Sequence, residues 1–136
     1  MRKKQAAFTL LEIMLVVTII ALLMGAAIYK LAGNVEVGRR VRVQGDIQAL
    51  NTQLRLYQSL NGFYPTTEQG LQALVTPPGS DPKPSRWTQL MSEVPKDPWN
   101  TPYIYISPGR KNSSGYDLYS AGPDRLPDTA DDDWGQ

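Results

Sequence analysis

The sequence predicts an α+β fold, in which one long N-terminal α-helix packs on a small antiparallel β-sheet. Three observations support this prediction: an unbroken apolar run near the start, an apolar repeat with helical spacing after it, and two short β-rich runs near the end. These features occupy residues 8–32, 35–60, 103–106 and 116–120 of a chain of 136 residues. A chain of this length usually folds as one domain. It contains no cysteine, so its small C-terminal part gains no stability from a disulfide.

The first segment has the length and composition of a membrane-spanning helix. Residues 8–32 contain Glu12 as their only charged side chain before Lys30. At ~1.5 Å per residue, roughly 20 apolar residues of helix span the hydrocarbon core of a bilayer. Basic residues precede the run and predict that the N-terminus stays cytoplasmic while the C-terminal side crosses the membrane. They are Arg2, Lys3 and Lys4.

A secretory signal peptide is the alternative for this segment. The basic start and the small residues around Gly25–Ala27 fit that alternative. The apolar run is, however, longer than the usual apolar region of about 7–15 residues, and Glu12 lies inside it. The pattern therefore favours a retained membrane helix. An unpaired carboxylate at the bilayer centre costs at least ~2.5 kcal/mol. Glu12 therefore either lies at the membrane interface or has a functional role.

The second segment predicts an amphipathic continuation of the same helix. Apolar residues recur at spacings of four and three, which places them on one helical face. They are Val43, Ile47, Leu50, Leu54 and Tyr57. The opposite face is polar and carries Arg40, Gln44, Gln48, Asn51 and Arg55. Asn61-Gly62 is a good stop signal, so we expect one helix that runs through the membrane segment and on to Leu60.

The remainder of the chain predicts short elements joined by loops. Thr66 and Gln69 have the spacing of a capping box, and a short helix through Leu71, Leu74 and Val75 should follow. Proline and glycine then rule out regular structure over residues 76–85. The two β-rich runs, 103–106 and 116–120, predict a hairpin with a longer loop. Their four tyrosines should pair across the strands, and these are Tyr103, Tyr105, Tyr116 and Tyr119.

The C-terminal stretch "GPDRLPDTADDDWGQ" contains the one dense group of acidic residues. Its members are Asp124, Asp128, Asp131, Asp132 and Asp133. Oxygen ligands at irregular spacing in a loop suit calcium, but no EF-hand pattern is present. A solvated acidic tail is the alternative. Pro123, Pro127 and Trp134 favour a loop, because they supply rigid points and an apolar anchor.

The composition excludes several classes of function. The chain lacks both histidine and cysteine, which removes the usual nucleophile and base pairs of catalysis. A membrane-tethered hydrolase that uses paired aspartates is the remaining catalytic alternative. The sequence gives no indication of an apolar pocket around these aspartates, which disfavours it. The net charge of +1 gives no reason to expect a nucleic-acid partner.

The stretch "FTLLEIMLVVTIIALL" after a basic start resembles the N-terminal class III signal of type IV pilins and pseudopilins. In that motif a glutamate is the fifth residue of the mature chain, which is Glu12 when counted from Phe8. Further motifs resemble the major pseudopilin of type II secretion systems over nearly the whole chain. They are "YPTTEQGLQALVTPP", "PKDPWNTPYIYISPG" and "YDLYSAGPD".

The resemblance implies a type IV pilin-like fold and a structural role without catalysis. A prepilin peptidase would cut between Ala7 and Phe8 and methylate Phe8. The chain would then comprise a cytoplasmic leader (1–7), a transmembrane and polymerisation helix (8–32) and a periplasmic domain (33–136). Its partners would be further copies of itself, minor pseudopilins, the inner-membrane assembly platform and the lipid bilayer. The resulting periplasmic filament would drive folded proteins across the outer membrane.

The resemblance also implies a calcium site in the C-terminal loop. The carboxylate ligands would be Asp124, Asp131 and Asp132, and backbone carbonyl groups of Ala121 and Leu126 would complete the shell. Asp128 and Asp133 would be substitutes if the loop registers differently. Such an ion would stabilise the small domain in place of a disulfide, because it binds only the folded state.

Glu12 gains a specific role from the same resemblance. Cleavage creates an α-amino group at Phe8, and a cation in the apolar layer makes a buried carboxylate tolerable. We therefore expect Glu12 to pair with this amine in its own chain or in a neighbour, whereas simple contact with lipid headgroups is the alternative. Two departures from the family pattern stand out: Ala7 occupies a position that is usually glycine, and Tyr29 one that is commonly proline.

Two further functions remain open at this point. A type IV pilus major pilin would share the N-terminal motif, but adhesive pilins commonly carry a C-terminal disulfide loop, which this chain lacks. A membrane-anchored calcium-binding module that acts as a monomer would share both the helix and the acidic loop. Filament formation after cleavage distinguishes the pseudopilin from this monomeric module.

Overall fold

The computed structural model describes residues 8–136, with Ala32 described by its backbone only. Its elements follow in the order α1 (Leu10–Asn61), a 3-10 helix (Leu71–Leu74), β1 (Ile104–Ile106) and β2 (Asp117–Tyr119). The chain divides into two compact units, of which the first ends at Gly38 and the second spans Arg39–Gln136. The predicted leader and its last residue, Ala7, lie outside the described residues.

The long helix is confirmed as one continuous element. α1 begins at Leu10, two residues after the predicted start, because the Thr9 hydroxyl oxygen accepts the Glu12 N–H at 3.2 Å and caps the first turn. The helix ends at Asn61, one residue after the predicted end. Gly62 follows with φ +85°, and its N–H donates to the carbonyl of Gln58 at 2.7 Å. This is the glycine stop that the sequence predicted.

The second half of α1 supplies the core of the second unit. All five apolar residues of the predicted face are buried, and they are Val43, Ile47, Leu50, Leu54 and Tyr57. They form one cluster with the 3-10 helix and with aromatic side chains of the sheet region. Burial of such a face contributes ~1.5–3 kcal/mol per large side chain, which stabilises this part of the helix.

The predicted capping box is present, but a tighter helix follows it. Thr66 Oγ1 accepts the Gln69 N–H, and Gln69 Oε1 accepts the Thr66 N–H, each at 3.2 Å. Gly70 then adopts φ +60°, so the turn cannot continue as an α-helix, and Leu71–Leu74 form a 3-10 helix. The predicted inclusion of Val75 is therefore wrong by one residue. The loop 76–85 contains no helix or strand, as predicted.

The two predicted strands pair, although each is shorter than expected. β1 and β2 are antiparallel, with Tyr105 opposite Leu118 and Tyr119 opposite Ile104. In this register no two of the four tyrosines lie directly opposite each other, so the predicted pairing is limited to one contact. One aromatic contact does link the two strand regions, between Tyr105 and Tyr116 at 5.5 Å between ring centroids.

The tyrosine hydroxyls join the sheet to the rest of the second unit instead. Tyr103 donates to Asp46 Oδ2 on α1 at 2.8 Å, and Tyr105 donates to the carbonyl of Pro65 at 2.7 Å. Burial, followed by the hydrogen bond to Asp46, raises the pKa of Tyr103. The first contact ties the residue before β1 to α1, and the second ties β1 to the segment between α1 and the 3-10 helix.

Candidate functional site

The first candidate site is the exposed apolar helix at the N-terminal end. Every large apolar side chain from Phe8 to Leu31 is exposed. Within residues 8–136, α1 is the one helix that is long and apolar enough to cross a membrane. A helix that is apolar on all sides requires a lipid or protein environment. The described part of the predicted membrane segment therefore has the surface that such a role needs.

Glu12 is exposed in the first turn of this helix. Its backbone N–H is capped by Thr9, and its carboxylate lies at the positive end of the helix dipole. Thr9-Leu10-Leu11-Glu12 has the Thr-x-x-Glu spacing of a capping box, a signal that the sequence analysis missed. The first-turn position favours a carboxylate here, and it leaves the side chain accessible to a cationic partner.

The second candidate site is the acidic loop, residues 121–132, whose two ends are held together. Ser120 and Asp133 exchange both backbone hydrogen bonds, each at 2.9 Å. Beyond this pair, the Trp134 ring stacks on Tyr119 with 4.3 Å between centroids, and Lys111 Nζ lies 3.6 Å from the Trp134 ring centroid. The acidic residues thus lie in a closed and anchored loop. The alternative of a solvated acidic tail does not fit this structure.

Three of the proposed ligands lie in one hydrogen-bonded network. The Asp124 N–H donates to Asp131 Oδ2 at 3.1 Å, and the Leu126 N–H donates to Asp124 Oδ1 at 2.8 Å. Thr129 donates its hydroxyl to Asp131 Oδ1 at 2.6 Å. The Thr129 hydroxyl, followed by the backbone N–H of Asp124, lowers the pKa of Asp131. Asp131 is therefore held as a carboxylate.

The third predicted carboxylate ligand, Asp132, contains an unpaired buried atom. Its Oδ2 accepts the Asp128 N–H at 3.0 Å, whereas its Oδ1 is buried without a hydrogen-bond partner. An orphaned buried oxygen is costly unless a donor or a cation reaches it. Asp132 Oδ1 is thus the atom of the loop that most requires a further ligand.

The two substitute acids have other partners. Asp128 forms an ion pair with Arg110 at 3.3 Å and accepts a hydrogen bond from the Tyr119 hydroxyl at 3.4 Å. Asp133 Oδ1 accepts the Gly135 N–H at 2.9 Å. Asp128 is thus engaged by residues outside the acidic loop, whereas the single contact of Asp133 does not separate it from Asp124, Asp131 and Asp132.

The loop supplies hard oxygen donors, which is the chemistry that calcium prefers. In the arrangement described for residues 8–136, no three acidic side chains surround one point closely enough to hold a metal ion. The unpaired Asp132 Oδ1 is the one observation in the described part of the loop that calls for a further donor or cation. Sequence reasoning missed the Ser120–Asp133 closure, because no local pattern pairs those positions.

Comparison with known proteins decides the family. Residues 30–134 match the family model for protein G of the type II secretion system. The chain belongs to this family. Residues 2–28 also match the prokaryotic N-terminal methylation motif. The major-pilin alternative thereby gives way to a pseudopilin of type II secretion.

Relatives within the protein G family extend over nearly the whole chain. The type II secretion system core protein G of Dickeya chrysanthemi is 43% identical over 97% of this chain and 86% of its own length. The protein of the same description from Pseudomonas aeruginosa is 37% identical over 97% of this chain and 93% of its own length. A member of the protein G family is a structural component of secretion.

A solved structure confirms the fold of this family member. The major pseudopilin from the type 2 secretion system of enterohaemorrhagic Escherichia coli matches with a TM-score of 0.69 at 40% sequence identity. The match covers 74% of this chain and 85% of that chain. The long N-terminal helix with a small antiparallel sheet is therefore the pseudopilin fold.

Proposed function

We propose that the chain is the repeating subunit of a periplasmic pseudopilus. The precursor sits in the bacterial inner membrane through residues 8–32, with its C-terminal domain in the periplasm. Copies then assemble with minor pseudopilins on the inner-membrane platform, and the filament drives folded proteins across the outer membrane. The subunit itself carries out no catalysis. The observation that carries this proposal is the exposure of every large apolar side chain from Phe8 to Leu31, a surface that requires neighbours once it leaves the lipid.

Processing at the start of this helix prepares the subunit for assembly. A prepilin peptidase cuts between Ala7 and Phe8 and methylates the new amine of Phe8. Alanine is the smallest side chain after glycine, so the peptidase can still approach the backbone closely. We expect cleavage at Ala7 to occur at a reduced rate. The match to the N-terminal methylation motif over residues 2–28 supports this step.

Glu12 pairs with the new amine of Phe8, in the same chain or in a neighbouring copy. The carboxylate is exposed in the first helical turn, where a cation from outside can reach it. Attraction between unit charges strengthens steeply as the dielectric falls, so the pair gains most inside the apolar filament. A subunit docked out of register leaves both charges unpaired, which is strongly unfavourable. The pair therefore selects the correct register.

The test compares filament yield for Glu12→Ala and Glu12→Leu with the wild type. Both variants should insert and be cleaved normally, since the cleavage site and the apolar helix remain. Sheared filaments should fall at least tenfold. Glu68→Ala is the matched control, because it also removes one exposed carboxylate but lies in the second unit. Normal yield from either Glu12 variant contradicts the pairing.

Calcium binds the acidic loop in this proposal. Asp124, Asp131 and Asp132 would supply carboxylate oxygens, and the carbonyl groups of Ala121 and Leu126 would supply backbone oxygens. The orphaned Asp132 Oδ1 supports the assignment, since a cation there removes the cost of a buried unpaired oxygen. When bound, the ion supplies a cross-link between the two ends of the loop.

Thermal unfolding of the full-length chain in detergent micelles tests the calcium site. Calcium at 100 times its Kd should raise the free energy of unfolding by ~2.7 kcal/mol, and magnesium should do less. Asp132→Asn should abolish the effect, whereas Asp81→Asn, an exposed acid in the proline-rich loop, should preserve it. An unchanged Tm of the wild type with calcium contradicts the site.

A further inference from the structure

A buried carboxylate outside the acidic loop reaches that loop through hydrogen bonds. Asp97 is 2% exposed and lies at the start of a tight turn that is closed by the pairing of Lys96 with Pro102. Its Oδ1 accepts the backbone N–H groups of Trp99 at 3.1 Å and Thr101 at 2.8 Å. Its Oδ2 accepts the Thr101 hydroxyl at 2.6 Å. Asp97 thus accepts three hydrogen bonds from residues of its own turn and stabilises that turn.

A fourth donor comes from the end of the sheet. The hydroxyl of Ser120, which is fully buried, donates to Asp97 Oδ2 at 2.7 Å. The same hydroxyl oxygen accepts the N–H of Gly122 at 3.1 Å. Because the single Ser120 proton points at the carboxylate, the oxygen lone pairs are free to receive Gly122. Hydrogen bonds in such a chain strengthen one another.

Gly122 is the residue through which these hydrogen bonds reach the acidic loop. It adopts φ +69°, and a Cβ built at this position would overlap the carbonyl oxygen of Asp131. The backbone of Gly122 therefore fits directly against the far side of the loop. Asp131 in turn accepts the N–H of Asp124. Gly122 therefore contacts Asp131 directly and is linked to Asp124 through that hydrogen bond.

We propose that Asp97 is a positioning residue for the acidic loop, because it orients the Ser120 hydroxyl that holds Gly122 against Asp131. The calcium part of this inference rests on the proposed function. The hydrogen-bond chain itself exists without the ion, so it can be tested in calcium-free protein.

A purely structural role for Asp97 predicts a different outcome. In that case its loss would loosen the 96–102 turn and lower global stability, and the acidic loop would change no more than the rest of the unit. Thr101→Val provides the comparison. It removes the 2.6 Å hydroxyl donor from Asp97 but leaves the Ser120 link intact.

The experiment measures amide hydrogen exchange of Gly122 by NMR, with the full-length chain in detergent micelles without calcium. Asp97→Asn offers only one acceptor oxygen, and Ser120→Ala removes the acceptor of the Gly122 N–H. Each should accelerate Gly122 exchange about tenfold, the loss expected for one buried hydrogen bond, after correction for global stability measured in the same sample. Thr101→Val should leave it unchanged after that correction.

The possible results separate the two roles. Unchanged Gly122 exchange in Asp97→Asn or in Ser120→Ala overturns the proposal, and so does equal acceleration in Thr101→Val. Two variants of the chain are used because a failure of one to fold leaves the other decisive.

A calcium titration of the same samples adds the functional consequence. The Kd for calcium should weaken about tenfold in Asp97→Asn and in Ser120→Ala, and it should stay unchanged in Thr101→Val. An unchanged Kd in both of the first two variants overturns the link to the metal. If the wild type binds no calcium, the proposed metal site fails, whereas the exchange of Gly122 still decides the role of Asp97.

Discussion

Replacing Asp117 by asparagine should remove the main support of the loop that joins the two strands. The Asp117 residue is 4% exposed. Its Oδ2 accepts the backbone N–H groups of Arg110 at 2.6 Å and Lys111 at 2.8 Å, and its Oδ1 accepts the Asn112 N–H at 3.1 Å. A Cβ at Gly109 would also meet Oδ1, at 2.6 Å, so the backbone wraps closely around the carboxylate.

The magnitude follows from these three hydrogen bonds. A hydrogen bond to a charged group contributes ~1.5–3 kcal/mol, and a neutral one contributes ~0.5–1.5 kcal/mol. At best, asparagine keeps the two bonds at the Oδ2 position as neutral bonds and turns its amide group toward the Asn112 N–H. The free energy of unfolding should fall by ~3 kcal/mol, which lowers the Tm of a unit of this size by roughly 12 °C or more.

The same substitution should alter the response to acid. Burial opposes ionisation of Asp117, but the backbone N–H groups of Lys111, Asn112 and Arg110 outweigh it and hold the pKa below its usual value of 3.8. Because the folded pKa is the lower one, the stabilisation is complete well above the unfolded pKa. It disappears as the pH falls through the folded pKa. Wild type and Asp117→Asn should therefore converge in stability as the pH falls below the folded pKa of Asp117.

Urea unfolding of the full-length chain in micelles, followed by tryptophan fluorescence, measures this difference at about pH 7 and then at falling pH. Asp81→Asn is the control, since that acid is exposed in the proline-rich loop. Equal urea midpoints for Asp117→Asn and wild type at neutral pH would show that the Asp117 carboxylate does not support this loop. So would a difference that persists undiminished in acid.

Two further substitutions test the core and the acidic loop by the same measurement. Leu54→Ala removes a fully buried side chain from the apolar face of α1 and should cost ~2–5 kcal/mol, whereas Leu56→Ala, on the exposed side, should cost far less; equal losses would contradict the assigned face. Gly122→Ala should cost at least ~1–2 kcal/mol, because alanine is strained at φ +69° and its Cβ overlaps the Asp131 carbonyl; wild-type stability would show that this backbone geometry is wrong.

The long helix and the strands could be predicted because their signals are local. The spacing from Val43 to Tyr57 repeats with the helical period, and Asn61-Gly62 terminates it. The four-residue 3-10 helix was harder to predict. The capping box at Thr66 favours an α-helix, whereas the backbone of Gly70, at φ +60°, departs from helical geometry.

The candidate site divides in the same way. The position of Glu12 and the acidic group at the C-terminus are visible in the sequence. The closure of the loop is not visible in the sequence, because Ser120 contacts Asp133 and Asp97, which are distant from it along the chain. Register, too, depends on packing of the whole sheet, which explains why Tyr105 faces Leu118 across the strands instead of another tyrosine.

Whether the chain is a processed subunit of a filament is tested most directly by its intact mass in sheared filaments, after expression with a prepilin peptidase and the assembly platform. We expect filaments whose subunit lacks residues 1–7 and carries one added methyl group on Phe8. Glu12→Leu, processed in the same cells, should show the same loss of residues 1–7 and the same added methyl group in the membrane fraction, with little protein in the filaments. Filaments made of uncut chain, or cleaved and methylated chain that never leaves the membrane, would contradict this expectation.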